Sequence, residues 1–141
     1  MKELKPLRQE RFSIPLPPVT KKNSQKIVTN RVTGRPFIVP SEKYTQYEHQ
    51  CAWFMPHFAT IRERVNIRAV FYMPTRRRCD LVNLEEALLD VLVRYGVIQD
   101  DNFEIVAGMD GSRVDYDKKS PRTEVTITFL EDEEEEEDES E

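Results

Sequence analysis

The sequence predicts an α+β domain, with two helices packed on one face of a mostly antiparallel or mixed sheet. Three observations carry this. Val65, Ile67, Ala69 and Phe71 alternate with Asn66, Arg68 and Tyr72, the period-two pattern of a half-buried strand. Two stretches, Tyr44 to Met55 and Leu84 to Tyr95, repeat apolar residues at spacings of three and four, as helices with one buried stripe do. Strand patterns stand near both ends of the chain, giving the order strand, hairpin-like arm, helix, strand, helix, strand, strand. A length of 141 residues suits one domain. We place it at 11–130, between a flexible N-terminal stretch, 1–10, and an acidic tail, 131–141.

Arg11 to Leu16 reads as the first strand, with Phe12, Ile14 and Leu16 facing one way; Pro15, Pro17 and Pro18 restrict it to an edge or a short element. Val19 to Pro40 reads as the arm, out through Ile27 and Val28, round a turn near Thr33-Gly34, and back through Phe37, Ile38 and Val39. Ser41 after Pro40 is a good helix N-cap, the face Tyr44, Tyr47, Cys51, Phe54, Met55 should be buried, and Pro56 ends or kinks the helix. The central strand, Val65 to Met73, is closed by Pro74 and Thr75. The second helix runs from an N-cap at Asp80 to Tyr95 and stops at Gly96. Ile105 to Met109 is a further apolar run, Asp110-Gly111-Ser112-Arg113 a turn or bulge, and Asp115 to Ser120 a polar loop. In the last strand Val125, Ile127 and Phe129 face inward while Thr126 and Thr128 face out.

Composition narrows the function classes. No apolar run approaches the ~20 residues of a membrane span, and residues 1–10 are too charged for a signal peptide, so a cytoplasmic location is expected. Cys51 and Cys79 are too few for a disulfide framework and are read as reduced thiols. His49 and His57, the two histidines, stand eight apart without a third ligand at zinc-site spacing. The formal charge of −5 comes from the tail, where ten of the eleven residues from Glu131 to Glu141 are acidic. The other 130 residues carry 21 basic and 16 acidic side chains, a balance of +5. A mildly basic body fits a nucleic-acid binder. The tail cannot bury apolar surface and should be disordered, serving solubility or folding over the basic groove in competition with nucleic acid.

The basic residues lie in two places. Lys21, Lys22, Lys26, Arg31 and Arg35 meet no acid between Val19 and Pro40, as suits an extended arm that tracks phosphates without reading bases. Arg76, Arg77 and Arg78 lead directly into Asp80, and a second carboxylate pair, Asp100 and Asp101, follows four residues after Gly96. Separated carboxylates around a basic entrance are what a divalent-metal phosphoryl-transfer site needs, because hard Mg²⁺ takes oxygen ligands. Asp110 is a further candidate ligand and equally an ordinary turn residue before glycine. Asn83, Glu86, Asp90 and Arg94 form the polar row of the second helix, where Asp90 and Arg94 read as a solvated face. Trp53 and the tyrosines read as core or rim, with stacking on unpaired bases as the other use.

The order Arg-Arg-Arg-x-Asp-Leu-x-Asn-Leu, then Ala and Asp along the helix, then Gly and an Asp-Asp pair, resembles the RusA family of Holliday junction resolvases. The resemblance runs from about Arg11 to about Phe129. It implies a RusA-like fold and a homodimeric endonuclease, often of phage or prophage origin, that uses Mg²⁺ to nick four-way DNA junctions in recombination and repair. Mn²⁺ is an expected substitute, and branched DNA the expected partner. Asp80 falls on the first motif aspartate, Asn83 on the motif asparagine, and Asp101 on the second member of the downstream pair. The resemblance thus implies Asp80 and Asp101 as catalytic metal ligands; Asp100 and Asp110 stand as further candidates on the residue reading alone.

Two positions depart from the family pattern. Val82 stands where many members carry a second aspartate, and Glu86 where they carry a lysine thought to assist catalysis. Four residues apart, they share a helix face, and a helical side chain leans toward the N-terminal turn. Glu86 can therefore deliver its carboxylate near the place left at Val82, which makes it a candidate catalytic ligand. The rival reading is a catalytically impaired junction-binding protein. A third is a small partner-binding protein that uses its acidic tail.

Overall fold

The computed structural model describes residues 7–21 and 25–130; for Gln25, Lys26 and Pro40 it describes the backbone alone. Lys22 and the acidic tail, 131–141, lie outside the described residues, as does most of the stretch expected to be flexible at the N-terminus. The elements are β1 (Gln9–Ile14), β2 (Gln25–Thr29), β3 (Pro36–Pro40), α1 (Glu42–Cys51), β4 (Val65–Met73), α2 (Leu81–Arg94), β5 (Val106–Gly108), β6 (Arg113–Tyr116) and β7 (Arg122–Phe129). The architecture is α+β, two helices on a mixed five-stranded sheet, with β2 and β3 forming a separate antiparallel hairpin.

β4 is the centre of the sheet. It pairs antiparallel with β7 from Val65 to Tyr72, and β7 pairs antiparallel with β1. The other edge of β4 is shared by two short parallel strands, β5 at Val65 and Asn66 and β6 from Val70 to Met73. Parallel pairing needs a crossover between the strands, and α2 supplies it. The alternation read in β4 is realised: Val65, Ile67, Ala69 and Phe71 are buried with Val125 and Ile127 of β7 against Tyr44, Tyr47 and Cys51 of α1 and Leu84, Leu88, Val91 and Leu92 of α2. Both helices therefore share one core on one side of the sheet. The other side carries Gln9, Arg11, Asn66, Arg68, Thr126 and Thr128 around an open concavity of about 560 Å³.

Several boundaries differ from the sequence pattern. β1 starts at Gln9 and ends at Ile14, because Pro15 has no N–H with which to continue the ladder. The Ser41 side chain caps α1 by accepting from the Tyr44 N–H at 3.3 Å. The helix ends at Cys51 and tightens into a 3₁₀ turn, Ala52–Phe54, which swings Phe54 out of the buried stripe; Met55 is extended ahead of Pro56. β6 occupies residues read partly as turn and partly as polar loop. Its sequence, Arg-Val-Asp-Tyr, has too few apolar residues to show alternation, and its edge position removes the need for them. The link from β5 to β6 is held from β4: Asn66 Nδ2 donates to the Asp110 carbonyl at 3.2 Å, its Oδ1 accepts from the Asp110 N–H at 2.9 Å, and Arg68 Nε donates to the Gly111 carbonyl.

α2 stops as its sequence requires. Gly96, at φ 70°, donates to Val93 and the next N–H, of Val97, reaches back to Leu92 at 2.9 Å, closing the last turn. The chain then lies beside Ile61 through an Ile61–Ile98 bridge before reaching Asp100. Arg94 is not simply solvated. Its Nη1 pairs with Glu48 of α1 at 2.6 Å, and the Tyr95 hydroxyl donates to the Glu48 carbonyl at 2.7 Å, which locks the two helices together. Both cysteines are free thiols, and burial raises the Cys51 pKa to about 11. Among the described residues no helix is long and apolar enough to cross a membrane.

Candidate active site and nucleic-acid interface

The loop from β4 to α2 carries the arginine run. Arg76, Arg77 and Arg78 are exposed, and none of them joins an ion pair among the described residues. Arg94, Arg113 and Arg122 do pair with acids, whereas the three loop arginines keep their charge available to phosphate. Arg76 lies over the ring of Tyr116 at 4.4 Å. Of the arm residues, Lys21 is exposed and close enough to α2 to act on Asp90; Lys26 is placed in β2, paired with Val39.

Asp80 is the N-cap of α2 by backbone position, with φ −100° and ψ 127°, but its side chain makes no capping hydrogen bond. Among the described residues the carboxylate's one hydrogen bond comes from the Asn83 side chain, whose Nδ2 donates to Oδ2 at 3.5 Å. It is exposed and retains acceptor capacity at the positive end of the helix dipole. One turn in, Val82 is 69 % exposed and Glu86 is exposed on the same face, so the two departures from the family pattern both look into solvent.

Asp100 and Asp101 have different duties. Asp100 spends its oxygens inside the loop, accepting from the Asp101 N–H at 2.7 Å and from Asn102 Nδ2 at 3.2 Å. The Asp101 carboxylate accepts no hydrogen bond among the described residues and is exposed. The chain returns close enough to α2 for Asp101 to act on Asp90. The Asp90 carboxyl is half-buried and its pKa is raised, first by burial; Lys21 opposes the shift, and Glu86, Asp101 and Glu48 add to it. Asp90, read from the sequence as part of a solvated face, thus sits among Lys21, Glu86 and Asp101. The signal that could have marked it was the i, i+4 spacing from Glu86, which puts both acids on one face.

Asp80 and Asp90 are ten residues apart on one helix, about 15 Å along the axis at the helical rise. The donors fit a hard divalent cation in kind, since all are carboxylate oxygens. Along the chain they form two groups, Asp80 at the start of α2 and Asp100-Asp101 after its end, and no three of His, Cys, Asp and Glu among the described residues lie together as a metal-holding group. Asp110 belongs to neither group; its backbone is tied to Asn66, on the sheet face turned away from the helices.

Free guanidinium groups next to an uncapped carboxylate at a helix start are the equipment of a protein that handles a phosphate backbone. Comparison with known families agrees. The family model for endodeoxyribonuclease RusA matches residues 15–128, and the chain belongs to the RusA family. The matched span takes in everything from the end of β1 into β7, including both helices and both carboxylate groups. No curated protein matches the chain.

Proposed function

We propose that this protein is a Mg²⁺-dependent, structure-selective endodeoxyribonuclease that resolves four-way DNA junctions by paired nicks and acts as a homodimer in recombination and repair. The observation that carries the proposal is Asp80: an exposed carboxylate that makes no capping hydrogen bond, soon after three exposed arginines that join no ion pair among the described residues; the resemblance aligns it with the family's first motif aspartate. Asp80 and Asp101 are the ligands we assign to the metal, with Glu86 and Asp100 as weaker members. A bound divalent cation would supply a Lewis acid that acidifies water and offsets charge on the scissile phosphate. Arg76, Arg77, Arg78 and the Lys21-Lys22-Lys26 arm hold the DNA backbone, a task that requires charge and reach rather than base contacts. Asn83 steadies Asp80 from one turn into α2.

The homodimer rests on the family reading, in which each copy would carry one site built on Asp80 and Asp101. Two such sites in one dimer suit paired cuts on one junction.

The second reading, a junction-binding protein with impaired catalysis, draws on Val82, a hydrophobic residue exposed at a position where many family members carry aspartate. A labelled mobile four-way junction, incubated with and without Mg²⁺ beside the Asp80→Asn variant, separates the two. The nuclease gives symmetrical nicks that need both Mg²⁺ and Asp80, with cleavage lowered about a thousandfold or more in the variant, given the several kcal/mol a catalytic metal contributes. Junction binding should survive or strengthen in Asp80→Asn, since a negative charge near phosphate is removed. Binding without any nick, in Mg²⁺ and Mn²⁺ alike, would establish the impaired form.

A further inference from the structure

β6 brings an aromatic residue to the arginine loop. Tyr116 is the last residue of the strand, in register with Met73 at the end of β4, and the following N–H, of Asp117, donates to the Met73 carbonyl at 3.0 Å. Its backbone is therefore fixed on the rigid centre of the sheet. Along β6 it falls on the same face as Val114, which packs against the core beneath the helices, so the ring stands on the α2 side of the sheet, as Asp80 does. Between β6 and the loop lies a groove of about 390 Å³, lined by Arg76, Arg77, Arg78, Cys79 and Tyr116.

Arg76 and Tyr116 form a layered pair in this groove. The guanidinium carbon is 4.4 Å from the ring centroid; Arg76 is exposed and Tyr116 is 38 % exposed. A planar guanidinium laid on an aromatic ring is held flat, and its plane and the ring together make a surface on which a nucleobase stacks. The neighbouring Asp115 does not compete for Arg76: its carboxylate accepts from the Tyr116 N–H at 2.9 Å and pairs with Arg113 at 3.7 Å. The groove thus offers a stacking plane, two further free arginines for the flanking phosphates, and Asp80 a few residues along the chain.

Building on the junction-nuclease reading, we propose that the Arg76–Tyr116 pair is a nucleobase subsite. It takes the base next to the scissile phosphate as that base unstacks at the branch point, and it sets which nucleotide is preferred at the cut. Unstacking is least costly where the duplex is already interrupted, so such a subsite favours branched over continuous DNA.

The test uses the Asp80→Asn background, which binds without cutting, and four-way junctions carrying 2-aminopurine at one position at a time around the branch point. Binding should quench the probe at one position beside the cut. Tyr116→Phe keeps the ring and should keep the quench. Tyr116→Leu should lose the quench, and its affinity for the junction should fall about five- to a hundredfold, the range of one base–aromatic stack. Arg76→Lys, which keeps the charge without the plane, should also lose the quench, and it tests the proposal even if Tyr116→Leu folds poorly. Junction binding with the same fluorescence profile in the parent, Tyr116→Leu and Arg76→Lys would overturn the subsite and leave the nuclease reading standing. Failure of the parent to bind the junction at all would overturn both.

Discussion

At Glu86 the physical question is reach. Val82 and Glu86 are both exposed on one face of α2, so a carboxylate at 86 and one at 82 can serve the same volume of solvent beside Asp80. If Glu86 stands in for the missing aspartate, Glu86→Gln should lower Mg²⁺-dependent cleavage about ten- to a hundredfold, the range seen when a metal site loses a supporting group. Val82→Asp added to Glu86→Gln should then restore it, because an exposed valine leaves without a packing loss. Cleavage unchanged in Glu86→Gln would remove Glu86 from the site. Asp90 makes a separate prediction, in stability. Its pKa is raised by burial, so the native state binds its proton more tightly than the unfolded chain does. The associated stability is present below the ordinary aspartate range and is lost as pH rises through the raised native value. Asp90→Asn should therefore raise the melting temperature at neutral pH and flatten the pH dependence of melting above pH 4, which thermal melts at a series of pH values will check.

Elements differ in how they are held. α2 is specified twice over, by a continuous buried stripe and by Gly96 at its end. A Cβ at Gly96 would meet only Thr60 Oγ1 at 3.7 Å, an ordinary contact, so Gly96→Ala costs what the left-handed backbone costs a non-glycine residue, about 1–2 kcal/mol, measurable by urea denaturation. At Gly111, by contrast, a Cβ would lie 2.9 Å from Arg68 Cδ, in addition to the positive φ, and Gly111→Ala should cost more. The same contrast explains what could be read in advance. β4, β7 and α2 carry long patterns because each packs many side chains into the core. β5 and β6 are three and four residues long and are held to β4 by backbone pairing and by Asn66, Arg68 and Ser112, contacts that leave no periodic mark. The hairpin β2–β3 was legible as an arm, but its exposed Ile27, Phe37 and Ile38 show that its apolar residues do not join the core.

For the molecule as a whole, charge is the lever. The 130 residues before the tail carry a balance of +5, and the eleven that follow hold ten acids. If the tail competes with DNA for the basic surface, deleting 131–141 should strengthen junction binding at low salt by roughly tenfold, an advantage that shrinks as salt is raised. Equal affinity of the two forms across a salt titration would leave the tail a solubility element.

The periodicity of the chain was enough to establish two amphipathic helices, the central and last strands and the α+β class, because burial of one face imposes a repeat that is visible residue by residue. The motif spacing was enough to indicate the family. Which polar groups meet was decided only by folding. Asp101 comes within electrostatic reach of Asp90, Arg94 locks onto Glu48, and Tyr116 arrives beside Arg76. These are pairings between residues far apart in the chain. They depend on where β4 sends α2 and on which edge β6 takes, and no local pattern encodes either.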